Sequence, residues 1–369
     1  MAMYQETSMP AIFFNQAENL KGAACVAYKN EQGQYTDISW NDMAEMVRNI
    51  GCFLLSKGIQ VQDKVALFSD NRYEWWIADL AILSAGAVNV PIYATNSAEE
   101  SRYIIDNSDS VICFVGSKSQ LKRILDVKAK LPNLRDIIIF DDLDKPVEGV
   151  ITFKDALKQG SAYAKKDELG QRIRNIKIQD MATIIYTSGT TGNPKGVMLS
   201  HSNFVSNVRQ CYAVAPHLFA QEITGLSFLP LSHSLERTVG YYLALAYGKK
   251  VAFAEDFSKI LGNFQEIRPK FIVSVPRLYE KIHAGILAKL PEASPFKQKL
   301  FAWSQTVAKK SLPDLCNDRK PKGLLGLQYK LADKLIFSKL RAGLGMDRLL
   351  FAISGGGPLS QNDAEFFLG

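Results

Sequence analysis

The sequence predicts an α/β protein built on two doubly wound, largely parallel sheets with helices on both faces. Three observations predict it. Short runs with a continuous apolar stretch, such as "KVALFSD", "AVNVPIY" and "SVICFVG", alternate with helix-patterned segments. Continuous apolar strands suit a parallel sheet covered on both faces. The 369 residues exceed the length at which one core stops growing, so more than one lobe is expected. Finally, a run of glycines and hydroxyls, "TIIYTSGTTGNPKGVMLSH" from Thr183 to His201, follows an apolar strand directly. In such folds that is the carboxyl edge, where ligands bind.

The elements follow in order. "YTDISWNDMAEMVRNIGCFLLSKGIQ" predicts a helix opened by the Ser39/Asp42 capping pattern. Met43, Met46, Val47, Ile50, Phe53 and Leu54 recur at helical spacing, and Gly58 stops it. "KVALFSD", the helix "NRYEWWIADLAILSAGA" and the strand "AVNVPIY" make a βαβ unit. "YIIDNS", "SVICFVG", a helix over Leu121–Leu131 and "RDIIIFDD" repeat it. The polar stretch Lys145–Gln179 is expected to hold one short helix and loop. "ATIIYT" is the strand before the glycine run, and "GLSFLP", "KKVAFAE", "KFIVSVP" and "RLLFAISGG" are further buried strands. The longest helices are expected around Phe296–Lys310 and Leu324–Ala342, and Ser360 with Asp363 caps a last one.

Composition narrows the class. Hydrophobic residues make up 47% and charged ones 22%, enough apolar surface for a large core. The five cysteines show no CxxC spacing, which fits reduced residues in a cytoplasmic protein. The N-terminus lacks the pattern of a signal peptide, and no apolar run reaches membrane-spanning length. His201, His217 and His283 are not at metal-ligand spacing, so no protein-held metal is expected. Between Lys289 and Arg341 stand 12 basic and 4 acidic residues, which accounts for more than the whole net charge of +7. The plain reading is a solvated helical face; the sharper one is contact with an anionic substrate or peripheral contact with an anionic membrane, at its inner surface. Nucleic acid is not expected, because no aromatic stacking platform accompanies the charge.

The glycine run has the chemistry of a polyphosphate cradle. Gly189, Gly192 and Gly196 allow positive φ and close backbone approach, Thr187, Ser188, Thr190 and Thr191 bring hydroxyls, and Lys195 brings a movable charge. Each hydrogen bond to a charged group contributes about 1.5–3 kcal/mol, so a few of them offset the cost of ordering the glycines. It is not the Walker pattern, because Gly196 stands where a metal-holding hydroxyl would follow the lysine. That weighs against a generic NTPase or kinase.

"YTSGTTGNPKGVMLSH" resembles the phosphate-loop signature of the adenylate-forming (AMP-binding) enzymes, and the resemblance runs on through "LSFLPLSHSLERTVGYY", "FIVSVPRLYEKI" and "LLFAISGGGPLS". It looks closest to the long-chain fatty acid–CoA ligases. The resemblance implies a two-step reaction: a fatty acid carboxylate attacks the α-phosphate of ATP, expelling pyrophosphate, and the thiol of coenzyme A then displaces AMP. It implies that Thr187, Ser188, Gly189, Thr190, Thr191, Gly192 and Lys195 hold the ATP phosphates, with Mg²⁺ bridging phosphate oxygens. It puts His233 beside the reacting carboxyl, with Lys195 the second catalytic residue, and sets Gly355, Gly356, Gly357 and Pro358 against adenine. From the residues alone, His233 reads equally as a structural histidine, "TVGYYLALAYG" as acyl-tunnel wall or plain core, and Arg277 as a helix-start surface residue.

The resemblance further implies one subdomain over 64–199, ending in the phosphate loop. A second, from 1–63 and 200–369, would be incomplete. The C-terminal lid domain with its catalytic lysine is absent from this sequence, so the chain is read as the N-terminal portion of a ligase, inactive alone. Two alternatives stay open: a non-catalytic nucleotide- or acyl-binding module, and a ligase for another carboxylic acid.

Overall fold

The computed structural model describes residues 8–187, 192–214, 216 and 220–369. The chain divides into two compact units, Met1–Glu255 and Asp256–Gly369. Parallel-dominated sheets with helices on both faces form the architecture.

In the first unit the strands are β1 (Ala24–Lys29), β2 (Tyr35–Ser39), β3 (Lys64–Phe68), β4 (Val88–Ile92), β5 (Ser110–Val115), β6 (Asp136–Ile139), β7 (Val150–Thr152), β8 (Met181–Thr187), β9 (Lys195–Ser200), β10 (Thr224–Ser227) and β11 (Lys250–Phe253). A seven-stranded sheet takes the order β7-β6-β5-β3-β4-β8-β9. It is parallel from β7 through β8, and β9 alone runs antiparallel. The other strands order as β10-β11-β1-β2, parallel except for the β1–β2 pair. All five residues of β4 are buried, as expected of a central strand covered on both faces.

Among the helices of this unit, α1 spans Met9–Leu20 and α2 spans Trp40–Ser56. α2 begins where Ser39 Oγ accepts the Asp42 N–H (3.1 Å). Capping is local, so this start is written in the sequence. Next, α3 (Tyr73–Ser84) is buried at every residue from Glu74 to Ser84. A mostly apolar helix buried on every side belongs inside the core, so its acids need partners: Glu74 has Arg72, and Asp79 at the centre needs another. α4 spans Ala98–Asn107. α5 (Lys118–Val127) starts three residues earlier than its apolar pattern predicts, because Ser117 and Gln120 form a complete capping box.

Two expectations need correction. The segment Lys145–Gln179 holds strand β7 and two helices, α6 (Phe153–Ser161) and α7 (Lys166–Asn175), rather than one short helix and loop. The glycine run does not end in loop: from Lys195 onward it is strand β9, which pairs back on β8. β9 lies at the sheet edge with its first four residues exposed, so it has no apolar alternation to betray it. Helix α8 (His201–Val214) follows.

The second unit holds a parallel pair, β12 (Phe271–Ser274) and β13 (Phe351–Ser354). Around it lie the helices Ile260–Ile267 and Pro276–Lys289, the long helix Pro295–Leu315, and a near-continuous helical run from Gly323 to Leu344 with one wide turn at Asp333–Phe337. The last helix, Gln361–Leu368, starts at the expected Ser360 cap. Cys25, Cys52 and Cys113 are buried free thiols; burial pushes all three up from the ordinary thiol value.

Candidate active site

Parallel strands share a carboxyl edge, and in the first unit that edge gathers two of the expected groups. The phosphate run begins at the end of β8. Thr187 is paired across the hairpin with Lys195, and both side chains are exposed there. Ser188, Gly189, Thr190 and Thr191 lie outside the described residues. Gly192 has φ +84°, which glycine tolerates, and nothing would touch a Cβ placed on it. Gly196 is different. Its φ is not positive, and a Cβ would lie 2.7 Å from Ile184 Cγ2. The expected positive φ is thus not found at Gly196, and cross-strand packing against Ile184 and Tyr186 of β8 leaves little room there for a side chain. The hairpin is tied to α4: Tyr103 donates to the Pro194 carbonyl (3.2 Å) and Tyr186 to Asn107 Oδ1 (2.7 Å). Burial pushes the Tyr186 phenol up to about 12, so it stays a donor.

The His233 turn reaches the same edge by a clamp. Asn71, just beyond the carboxyl end of β3, donates to Ser227 Oγ (3.1 Å) and the Leu229 carbonyl (2.6 Å) and accepts the Leu231 N–H (3.0 Å). Because β3, β4 and β8 are parallel neighbours, this fastens the turn to the sheet end from which the phosphate run leaves. His233 is exposed, and its Nδ1 accepts the Leu235 N–H (3.2 Å). In the neutral ring that leaves the proton on Nε2, free to donate outward.

Behind His233 lies a polar network that sequence reasoning missed. Arg237 and Asp79 are both fully buried and ion-paired. Arg237 also donates to Thr183 Oγ1 of β8 (2.7 Å) and to the Tyr242 hydroxyl (3.2 Å). Asp79 further accepts from Asn89 Nδ2 (2.6 Å) and the Tyr242 hydroxyl (2.7 Å). The guanidinium sits 5.4–5.5 Å from the rings of Trp75, Phe204 and Tyr242. One side chain, four residues after His233, thus joins that turn to α3 and to β8. An acid at the centre of a mostly apolar helix was the available signal; its partner 158 residues away was not.

Glu236 is buried beside it and accepts from Ser227 Oγ (2.6 Å). Burial pushes its carboxyl up to about 8. Between the ordinary carboxylate value and about 8, the folded chain keeps a proton that the unfolded chain has lost. Folding stability should therefore fall as pH rises through this window and level off above it. Glu236→Gln, neutral and still an acceptor for Ser227, should flatten that slope in denaturation curves taken from acid to alkaline pH. Parallel curves for the two proteins would show that Glu236 does not carry it.

The segment Thr238–Gly248 is core at its centre: Tyr241 through Ala246 are buried, and Tyr241 stacks on Trp76 at 4.1 Å between ring centroids. In the second unit, the turn after β13 has the Gly355 N–H donating to the Ser274 carbonyl (3.0 Å) and Gly356 at φ +78°. Gly356, Gly357 and Pro358 are exposed. Arg277 is the second residue of the helix Pro276–Lys289 and points to solvent, with its side chain 89% exposed. His283 pairs with Asp363 at 2.7 Å. Among the described residues no three metal-capable side chains gather.

The AMP-binding enzyme family profile matches residues 13–369. The chain belongs to the AMP-binding enzyme family. Among its relatives, the long-chain-fatty-acid–CoA ligase FadD15 of Mycobacterium bovis is 35% identical over 91% of this chain and 54% of its own length. The long-chain-fatty-acid–CoA ligase ACSBG2 of Xenopus laevis is 33% identical over 93% of this chain and 47% of its own. The A-PCP didomain of a carboxylic acid reductase from Segniliparus rugosus, solved with AMP, shares the fold with a TM-score of 0.70 at 18% identity, covering 98% of this chain and 51% of that one. This AMP-binding chain spans about half the length of the curated relatives it matches.

Proposed function

We propose that the whole protein is a fatty acid–CoA ligase that activates a long-chain acid as its adenylate and passes the acyl group to coenzyme A. The observation that carries the reading is the shared sheet edge. A glycine- and hydroxyl-rich hairpin with an exposed lysine leaves the end of β8, and the exposed His233 turn, which follows β10 outside that sheet, is clamped by Asn71 to the same carboxyl edge beyond β3. Open space around Gly192 and the exposed Lys195 fit an ATP polyphosphate tail. Mg²⁺ would arrive with the nucleotide and would supply charge neutralisation at that tail.

This chain's residues would then divide the work. Thr187, Ser188, Gly189, Thr190, Thr191, Gly192 and Lys195 would hold the phosphates so that the carboxylate meets the α-phosphorus in line with the departing pyrophosphate. Lys195 would offset charge that builds on the leaving oxygens, and His233 Nε2 would orient the carboxylate. Positioning and charge neutralisation supply most of such a barrier reduction. Gly355, Gly356, Gly357 and Pro358 would offer a flat surface to adenine. The proposed subdomains are 64–199 and the remainder.

A second reading, an amino-acid-activating ligase, is disfavoured by Glu236. It is the acid nearest His233 in this stretch, yet it is buried against Ser227, and burial pushes its carboxyl up to about 8, which disfavours its pairing a substrate ammonium. A long-chain acid partitions into membranes, and we also propose that the basic segment Lys289–Arg341 gives peripheral contact with an anionic surface. The catalytic reading is tested by ATP–pyrophosphate exchange on the whole protein with a panel of fatty acids. Exchange that requires a long-chain acid is expected. Exchange supported only by another class of carboxylic acid, or none with any, would overturn it and leave the binding-module reading.

A further inference from the structure

In the second unit, the helix Gly323–Ala332 carries two apolar stripes. The inner one, with Leu325, Tyr329 and Ala332, packs with Trp303, Val307 and Ala308 of the helix Pro295–Leu315. That contact accounts for the folding role of the helix. The outer stripe is left over. Leu324, Leu327 and Leu331 recur at the i, i+3, i+7 spacing of one helical face, and they are 72%, 65% and 49% exposed. Scattered exposed leucines need no explanation, but three aligned on one short helix form a contiguous face.

The charge around this face is basic on balance. Lys320 and Lys322 are exposed just before the helix, and Lys330 and Lys334 are exposed towards its end. Among the described residues none of the four makes an ion pair. Of the nearby acids, Asp314 pairs with Arg319 at 3.8 Å and Asp333 with Arg341, and the exposed Asp318 leaves the flank basic on balance. Aliphatic side chains rimmed by unpaired lysines complement a surface that is apolar beneath and anionic on top, which is the cross-section of an anionic leaflet. A nucleic acid fits less well, because the outer stripe offers no ring for a base to stack on.

We propose that the outer face of this helix docks on an anionic lipid bilayer, with Leu324, Leu327 and Leu331 entering the headgroup–acyl boundary and the flanking lysines meeting lipid phosphates. The helix is amphipathic and charged along the run that continues it, and among the described residues no helix is long and apolar enough to cross a membrane, so this face would lie in the membrane plane. The proposal deepens the membrane part of the reading above and does not depend on the ligase chemistry.

Co-sedimentation of the 369-residue chain with vesicles tests it. The chain should bind vesicles rich in phosphatidylglycerol, bind phosphatidylcholine vesicles far less, and release as salt is raised. The triple variant Leu324→Gln/Leu327→Gln/Leu331→Gln should bind about tenfold more weakly or worse. These leucines are exposed, so its circular dichroism and thermal midpoint should match the parent. Lys320→Glu with Lys322→Glu should also weaken binding. If the leucine variant binds like the parent, the inserted face is wrong and only the basic segment's contact survives. If the parent binds neither vesicle, or both equally, the anionic-membrane reading falls with it. If sedimentation equilibrium shows a dimer that the leucine variant loses, the face is a contact between copies and the proposal is overturned. None of these outcomes depends on the exchange assay.

Discussion

Arg237→Met should destabilise the first unit by about 3–5 kcal/mol, the cost of breaking a buried ion pair from one side. Arg237 and Asp79 are both fully buried, so removing the guanidinium leaves a carboxylate with no compensating charge. Asn89 and Tyr242 still donate to it, but neutral donors do not replace a cation in a medium of low polarity. Thr183 and the Tyr242 hydroxyl lose a donor at the same time. The measurement is urea denaturation followed by a probe in this unit, such as the fluorescence of Trp75 and Trp76 beside the pair. Adding Asp79→Leu to Arg237→Met should recover part of the loss, with a coupling of about 1–3 kcal/mol in the double-mutant cycle. Recovery should be incomplete, because Asn89, Thr183 and Tyr242 remain buried without their partners. A loss below about 1 kcal/mol for Arg237→Met would mean that the pair adds nothing beyond packing.

Lys195→Ala should lower fatty-acid-dependent ATP–pyrophosphate exchange by about 2–4 kcal/mol of transition-state stabilisation, as for other preorganised charge donors. The lysine stands at the mouth of the β8–β9 hairpin, opposite Thr187, with its side chain exposed. Its removal should therefore leave folding nearly untouched, within about 0.5 kcal/mol. That separation is the informative part: activity falls while the denaturation midpoint stays. Charge that builds on the leaving pyrophosphate places the loss mainly in kcat. Lys195→Arg should keep part of the rate, since it retains the cation but not the ammonium's compact geometry. Unchanged exchange in Lys195→Ala would remove the lysine from the reaction and leave the hairpin a structural turn.

How much of this was legible varied with the distance over which each signal acts. The start of α2 at Ser39, the last helix at Ser360 and the buried strands β3, β4 and β5 follow from neighbours a few residues apart. β9 was not legible, because an exposed edge strand is held by hydrogen bonds to β8 and leaves no hydrophobic period. β7 and α7 were hidden in a polar stretch for a similar reason: β7 is only half-buried, and Leu169 is the one fully enclosed residue of α7. Gly196 was read as ligand-facing, yet its space is taken by Ile184 and Tyr186 on the paired strand.

The order of residues along the chain therefore already carries the fold class, and it singles out the glycine- and hydroxyl-rich run from Thr187 to Gly196 and the histidine of the 233 turn, because those depend on local composition and spacing. What holds that turn on the carboxyl edge of the sheet came from the packed structure alone. Asn71 reaches about 160 residues ahead to the Leu231 N–H, and Arg237 reaches back 54 residues to Thr183 and 158 to Asp79. Burial turns those distant polar groups into obligatory partners, and burial exists only once the chain has packed.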